Sequence, residues 1–424
     1  MSLKMCIIAD DLTGAGDTGI QFKKAGSSVY LSLHPNHLVI HEDADVVVIN
    51  TDSRFLEPED AYKLVYNSVL GCRKAGVSRF YKKIDSTLRG NINREIDAIL
   101  DAAGYRAAVI TPSAPRNNRT VKNGCCFLNG KMIHETEAGR DFFNPVVSSY
   151  IPDHFSGEPD KTIVLNIDEL HDVAMSLADR IMSLVEKGYR YIICDAESCE
   201  DLRVIAGIEA LDDILLVGSS GLAEKLSEGG AENTVRPDGL NIPAEGILII
   251  NGSRTNISAL QVQEALKERE VFVLDVSRKG IVTDGDGEFD RLTSEIEAGK
   301  KAVPWLVRVQ SDEALKDENP DEMRRLADSI SSFIGRLVGK IVYDRDIRAM
   351  VLIGGDTSYK VMDALGIEEV EYLGEVLPGI PFGKLSGGKG VEPFFISKSG
   401  GFGDENTLKK LLDFLVQEKW ENNE

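Results

Sequence analysis

The chain reads as an α/β protein of two domains, each a mainly parallel sheet covered by helices, with the active site expected in the interdomain cleft. Three observations predict this. Short continuous apolar runs alternate with longer amphipathic stretches through all 424 residues, the pattern of strands buried on both faces by helices. The length exceeds that of a typical single domain. The alternation breaks between Glu228 and Glu245, where Gly229-Gly230, Pro237-Asp238-Gly239 and Pro243 stand among few large apolar residues. The boundary is placed near 238, giving domains 1–237 and 238–424.

In chain order, Cys6-Ile7-Ile8-Ala9 forms the first strand. Thr13, Gly14 and Gly16 then make a turn that opens a helix through Thr18 to Phe22. Strands follow at Val46–Ile49, Arg79–Ile84, Ala107–Ile110, Thr162–Leu165, Tyr191–Cys194 and Ile214–Val217. Phe142 to Gly157, rich in Ser, Pro and aromatics, reads as a long loop. Leu177 to Val185 carries helical periodicity and is closed by Gly188. Past the boundary the rhythm restarts at Gly246–Ile250 and continues at Val271–Leu274 and Ala349–Ile353. Asp284-Gly285-Asp286-Gly287-Glu288 reads as an exposed acidic turn, because a calcium loop requires Gly where Phe289 stands. The polar tail from Glu418 is expected to fray.

Composition narrows the function. Hydrophobic content of 42% with 28% charged residues is ordinary for a globular protein. A net charge of −21 argues against nonspecific nucleic-acid binding. No apolar run approaches the ~18 residues of a membrane span, and no signal peptide is evident, so a cytoplasmic location is expected. The six cysteines form no Cys-x-x-Cys and read as reduced, mostly buried thiols, and no zinc site is expected.

The chemistry concentrates at strand ends, where α/β sheets bind ligands. The first strand runs into Asp10-Asp11. One of them is explained as a helix cap, but only one can be. The next two strand ends carry cations, in Asn50-Thr51-Asp52-Ser53-Arg54 and Lys82-Lys83-Ile84-Asp85-Ser86-Thr87-Leu88-Arg89-Gly90. Arginine grips a carboxylate with two parallel hydrogen bonds, so acids for hydroxyls beside cations for a carboxylate suit a small polyhydroxy acid. The turn Gly218-Ser219-Ser220-Gly221 either lines the same crevice or caps a helix. A haloacid-dehalogenase phosphatase would need Asp-x-Asp, and Leu12 stands in its second acidic position.

The second half offers glycine turns instead. They are Asn251-Gly252-Ser253-Arg254, Gly354-Gly355-Asp356-Thr357-Ser358, Ser386-Gly387-Gly388-Lys389-Gly390 and Lys398-Ser399-Gly400-Gly401-Phe402-Gly403-Asp404. Helix starts expose unpaired N–H groups and bind phosphate, so a nucleotide pocket is favoured over four structural turns. No P-loop occurs, and no Gly-x-Gly-x-x-Gly dinucleotide fingerprint is expected after any strand.

In combination, Ile8-Ala9-Asp10-Asp11-Leu12-Thr13-Gly14-Ala15, Lys83 through Gly90, Gly354-Gly355-Asp356-Thr357 and Lys398 through Gly403 resemble the four-carbon acid sugar kinase family, once catalogued as a domain of unknown function. The resemblance spans essentially the whole chain. Leu12 and Asp356 stand where the family often has Phe and Glu. The resemblance implies an N-terminal sugar-acid domain, a C-terminal ATP domain, and phosphorylation of O4 of D-threonate, D-erythronate or 3-oxo-tetronate. Gly16 through Gln21 looks more like the threonate and erythronate kinases. By motif, Asp11, Arg54, Lys82, Lys83, Asp85 and Ser86 would contact the acid. Ser253, Gly354, Gly355, Asp356, Thr357 and Gly401 would contact ATP, with Gly400 and Gly403 in the same turn.

The expected mechanism is ATP-dependent transfer to the C4 hydroxyl, mainly by positioning and charge stabilisation. Arg54, Lys83 and Arg89 would hold the acid end, Asp11 or Asp10 would take or orient the hydroxyl proton, Mg²⁺ would bridge phosphate oxygens, and Lys398 or Lys384 would neutralise developing charge. Alternatives are a kinase of another sugar acid, a non-catalytic sugar-acid sensor, and a phosphatase or lyase of sugar-acid phosphates. A homodimer is the base-rate expectation for assembly.

Overall fold

The structure, a computed structural model, describes residues 5–35, 38–141, 144–228, 240–253, 255–299, 302–310, 320–388 and 392–416. The chain divides into two compact units, Met1–Asn233 and Thr234–Glu424. The boundary expected near 238 and the tail from 418 lie outside the described residues.

The first unit contains β1 (Met5–Ala9), α1 (Leu12–Lys24), β2 (Val29–Ser32), β3 (Val46–Asn50), α2 (Pro58–Lys74), β4 (Phe80–Lys83), α3 (Ile92–Ala103) and β5 (Ala107–Thr111). Then come β6 (Arg119–Lys122), β7 (Cys125–Leu128), β8 (Lys131–Met132), β9 (Thr162–Leu165), α4 (Ile167–Leu170), α5 (Leu177–Glu186), β10 (Tyr191–Cys194), α6 (Cys199–Ala206), β11 (Ile214–Gly218) and α7 (Ser220–Ser227). Its main sheet has the order β2-β3-β1-β4-β11-β5-β10-β9, parallel throughout. The apolar runs Ile7-Ile8, Val46-Val47-Val48 and Ala108-Val109-Ile110 are fully covered, as strands sandwiched by helices must be. α1 packs on α7 and α7 on α6, while α2 packs on α3.

The order reverses at β1. The chain moves from β1 outward to β2 and back to β3, then crosses to β4 on the other side. A crevice at the carboxyl ends of the strands opens where such a reversal occurs. The three strand ends singled out in the sequence are neighbours there: Ala9 pairs with Asn50 on one side and Lys83 on the other, and Lys83 pairs with Gly218. β6, β7 and β8 form a separate antiparallel sheet. Its strands are short and half-exposed, and they went unread in the sequence, the apolar run of β7 included. The loop read at 142–157 holds a 3₁₀ turn at Ile151–Phe155, and residues 142 and 143 lie outside the described ones.

The second unit contains β12 (Ile247–Asn251), α8 (Asn256–Glu268), β13 (Phe272–Val276), α9 (Arg278–Ala298), β14 (Trp305–Val309), α10 (Pro320–Asp344), β15 (Ala349–Ile353), α11 (Gly355–Ala364), β16 (Glu369–Leu377), β17 (Ile380–Ser386), β18 (Phe394–Lys398) and α12 (Thr407–Val416). Its strand order is β13-β14-β12-β15-β18-β17-β16. The first five run parallel and the β16–β17 hairpin is antiparallel. The acidic turn expected at Asp284 is instead inside α9. Asp284 interrupts that helix with φ −158° and ψ 78°, and its Oδ1 accepts from Gly287 N at 3.0 Å, capping the second segment. Among the described residues no helix is long and apolar enough to cross a membrane, and no group of three His, Cys, Asp or Glu side chains is placed to hold a metal. His37 and His41 have the i,i+4 spacing of a metal pair, but His41 is in a non-helical stretch and stacks on Tyr30, and His37 lies outside the described residues.

One buried ion pair ties the first unit together beneath the crevice. Lys82 of β4 meets Glu95 of α3 at 2.6 Å, each side chain 1% exposed. Glu95 stands on the apolar face of α3 with Ile92, Ile96 and Ile99, so it must have a partner there. Its other oxygen accepts from Ser53 Oγ at 2.7 Å, and Lys82 also donates to the Lys83 carbonyl at 2.8 Å. Lys82→Met alone leaves Glu95 charged and buried, and is expected to destabilise the protein by about 3–5 kcal/mol. The double variant Lys82→Met/Glu95→Leu should recover most of that loss. Denaturant unfolding of the three proteins checks this; a single variant as stable as the parent would refute it.

Candidate active site

β1 ends in Asp10, which is 2% exposed. α1 begins one residue later with Asp11 as its cap: Asp11 Oδ1 accepts from Gly14 N at 3.0 Å. The capping explanation therefore applies to Asp11 and leaves Asp10 for another role. That role is an ion pair. Arg54 Nε donates to Asp10 Oδ2 at 2.8 Å and Nη2 to Oδ1 at 3.1 Å. The same Nη2 stands 2.8 Å from Asp11 Oδ1. Arg54, expected to grip a ligand's carboxylate, thus has its fork on two carboxylates of the protein, and Lys82 is buried on Glu95. Arg89, also expected at the acid end, forms a bidentate pair with Asp85 (2.8 and 3.3 Å) and reaches Asp141 at 3.3 Å.

Three groups stay open. Asp11 Oδ2 makes no bond among the described residues, and the side chain is 22% exposed. Lys83 is buried and makes no ion pair or side-chain hydrogen bond among them. Ser86 is half-buried in the loop after β4. Lys83 Nζ and Asp11 Oδ1 lie 2.5 and 2.6 Å from the point where a Cβ on Gly14 would sit, so a side chain there would displace both groups. Gly90, at φ 97°, makes the same room for Asp10 Oδ2 at 2.9 Å. Gly14, Gly16 and Gly19 do have the Gly-x-Gly-x-x-Gly spacing. All three fall inside α1, however, and an aspartate caps its start. A pyrophosphate cradle needs the first glycine in the turn and open amides at the helix start, so this is not one.

The electrostatics separate the acids. Burial by itself raises the Asp10 carboxyl, but Arg54, Lys82 and Lys83 outweigh it and hold it below the usual range. Asp85 is held well below by Arg89 and Arg54 against the same burial. Glu95 moves up, because its burial outweighs Lys82 and Ser53. Asp17 of α1 is the unforeseen member. Burial, aided by Asp11 and Asp85 and opposed by Lys83 and Arg119, pushes it up to about 7. Nothing in local sequence marks Asp17, since its shift comes mainly from burial, which tertiary packing sets. Glu95 was legible in principle, as a lone acid on an apolar helical face.

In the second unit, β12, β15 and β18 are adjacent and parallel, with Asn251, Ile353 and Lys398 side by side at their ends. Three of the four glycine turns therefore meet. The fourth, at 386–390, joins β17 to the opposite end of β18, and part of it lies outside the described residues. Gly354 takes φ 106° and leads α11, which starts with no side-chain cap, so its first-turn amides are available to an anion. Asp356 is exposed in that turn and Thr357 is buried. A Cβ on Gly252 would collide with Thr357, and one on Gly400 with Ser253. Thr255 Oγ1 donates to the Gly400 carbonyl at 2.8 Å. Gly401 has open space beside its Cα, and Gly403 turns at φ 83°. Lys398 donates to the carbonyls of Ser399, Gly400 and Phe402 at 2.8, 3.3 and 2.9 Å, shaping the loop from within. Lys384 pairs with Glu392 at 3.0 Å. Both lysines proposed for charge neutralisation have partners of their own.

The raised Asp17 has a consequence for stability. Between its ordinary 3.8 and about 7 the folded chain keeps a proton that the unfolded chain has lost, so this group's contribution falls as pH rises through that window. Asp17→Asn removes the penalty. Its melting temperature should exceed the parent's above pH 7, with the gap closing toward pH 4. A pH-independent gap across thermal melts would refute the assignment.

Residues 5–226 match the family described as "Sugar-binding N-terminal domain" and residues 248–408 the "Nucleotide-binding C-terminal domain". A D-threonate kinase of Salmonella typhimurium is 30% identical over 98% of this chain and 99% of its own length, and one of Bordetella bronchiseptica 30% over 98% of both. A D-erythronate kinase of Heliobacterium modesticaldum is 26% identical over 97% of this chain and 96% of its own. A solved structure from Haemophilus influenzae shares the fold, with a TM-score of 0.76 at 23% identity over 97% of this chain and 100% of that one. The chain belongs to the four-carbon acid sugar kinase family and is a phosphotransferase.

Proposed function

We propose that the protein transfers the γ-phosphoryl group of ATP to the terminal O4 hydroxyl of a four-carbon sugar acid, D-threonate first and D-erythronate next, with 3-oxo-tetronate as the second reading. The observation that carries this is the pairing of open groups at adjacent strand ends: a carboxylate oxygen of Asp11 that accepts from hydroxyls, beside the unpartnered ammonium of Lys83 that attracts an anion. The names of the relatives support a four-carbon acid and favour D-threonate, whose kinases are 30% identical; the D-erythronate kinase at 26% and a 3-oxo-tetronate kinase at 28% do not rank those two acids.

In the reaction O4 passes its proton to the open oxygen of Asp11, which returns it to water, the O4–phosphorus bond forms, the bond from phosphorus to the β,γ-bridging oxygen breaks, and ADP leaves. Asp11 orients the hydroxyl. Asp10, held ionised by the Arg54 fork, keeps the edge negatively charged and fixes Arg54. ATP fits the second unit, where Gly354, Gly355, Asp356 and Thr357 present the uncapped helix start and Ser253, Gly400, Gly401 and Gly403 bring backbone close without side chains. Magnesium, when bound, screens phosphate charge. Among the described residues no group of three acidic, His or Cys side chains is placed to hold it, so it would come to the site with the nucleotide.

ADP release measured across a panel of four-carbon acids tests the reading. Turnover is expected with D-threonate or D-erythronate, and none with any acid would end it. Asp11→Asn should lower kcat by two or more decades while ATP still binds in a calorimetric titration; parental turnover would remove Asp11 from the mechanism. Gly400→Val pushes a side chain onto Ser253 and should raise KM for ATP about tenfold or more, leaving KM for the acid unchanged.

A further inference from the structure

A substrate carboxylate needs a cation that the protein has not already neutralised. At the carboxyl edge of the first unit, Lys82 is on Glu95, Arg54 on Asp10 and Asp11, Arg89 on Asp85 and Asp141, and Arg116 on Glu224 at 3.1 Å. Among the described residues Lys83 and Arg119 are cations near this edge whose side chains make no ion pair or hydrogen bond. Arg119 opens β6, and its backbone is held against the end of β5. Its carbonyl accepts from Ala114 N at 2.9 Å and Ser113 Oγ at 3.1 Å, and its own N donates to the Ala114 carbonyl at 3.2 Å. Ser113 in turn accepts from Ser219, the cap of α7, at 2.9 Å. Arg119 is therefore rooted at the same edge as Gly218 and Lys83.

Its side chain is in an unusual state. Arg119 Nε is closed off from solvent with no acceptor. Arg94, Arg180 and Arg345 also have a bare Nε, but each places another guanidinium nitrogen on an oxygen. Among the described residues Arg119 makes no side-chain hydrogen bond or ion pair at all. Leaving such a donor bare costs about 1–3 kcal/mol, which a bound acceptor removes. The charges of Arg119 and Lys83 both act on Asp17, so the two cations lie within electrostatic reach of one carboxyl. We infer that Arg119, with Lys83, holds the carboxylate of the acid substrate, the place assigned to Arg54 by sequence. This deepens the sugar-acid reading and rests on it. The planar fork of arginine gives two parallel bonds to the carboxylate, and the lysine adds a point charge.

The test compares the parent, Arg119→Ala and Arg119→Lys by calorimetric titration with D-threonate and D-erythronate, and by turnover with each acid and with the uncharged polyols threitol and erythritol. Arg119→Ala should bind the acids about 10- to 100-fold more weakly, the effect of losing charge-assisted hydrogen bonds. KM for ATP and activity on the polyols should stay within about twofold of the parent. Arg119→Lys should recover only part of the affinity, and added guanidinium ion should partly rescue Arg119→Ala. Unchanged acid affinity, or an equal loss on acids and polyols, overturns the inference. A parent that binds the acids without transferring phosphate ends the kinase reading, and the titrations then still decide Arg119. A parent that binds neither acid overturns the inference directly.

Discussion

The fork of Arg54 across Asp10 and Asp11 is the interaction on which the candidate site depends. Two adjacent carboxylates at the end of a buried strand repel one another and lose solvation. The guanidinium between them makes the arrangement tolerable, with three contacts of 2.8–3.1 Å. It also sets their different roles. Asp10 is locked and kept ionised, whereas Asp11 uses one oxygen for the cap and for Arg54 and turns the other outward.

Beneath that fork the same logic repeats with Lys82, Glu95 and Ser53, which join β4, α3 and the loop after β3. A buried polar network has to be complete, because each missing partner leaves a costly bare group. Once these pairs are assigned, the cations still open are few, and the site's capacity for an anion is defined by them rather than by the total of basic residues. Asp17 shows the other side of the same constraint: a carboxyl with no dedicated partner takes up a proton near neutral pH.

The second unit handles negative charge with backbone instead of side chains. Parallel strands β12, β15 and β18 end side by side, so their turns converge, and glycines at 252, 354 and 400 let those turns touch. Lys398, turned inward onto three carbonyls, serves the shape of the loop. Close approach of backbone to phosphate needs this absence of side chains more than it needs another cation.

Much of this was legible in the residues themselves. Continuous apolar runs marked most of the parallel strands, as at Val46–Ile49 and Tyr191–Cys194, because burial on both faces leaves an unbroken signal, while β2, β14 and β18 went unread. The antiparallel pieces went unread: β16 alternates buried with half-buried residues, and β6 to β8 are short and half-exposed, so they blend into loop. The site motifs were found because chemistry gathers at strand ends, which are local. Which side chain serves which purpose was not local. Asp10 and Arg54 are 44 positions apart, Lys82 and Glu95 lie on different elements, and Arg119 enters from a separate small sheet. Sequence alone determined the two α/β units, the acidic and glycine-rich strand ends and the family. Only the tertiary structure decided which charges cancel one another, because Coulomb and desolvation energies depend on distances across the strand order, and that order is set by packing.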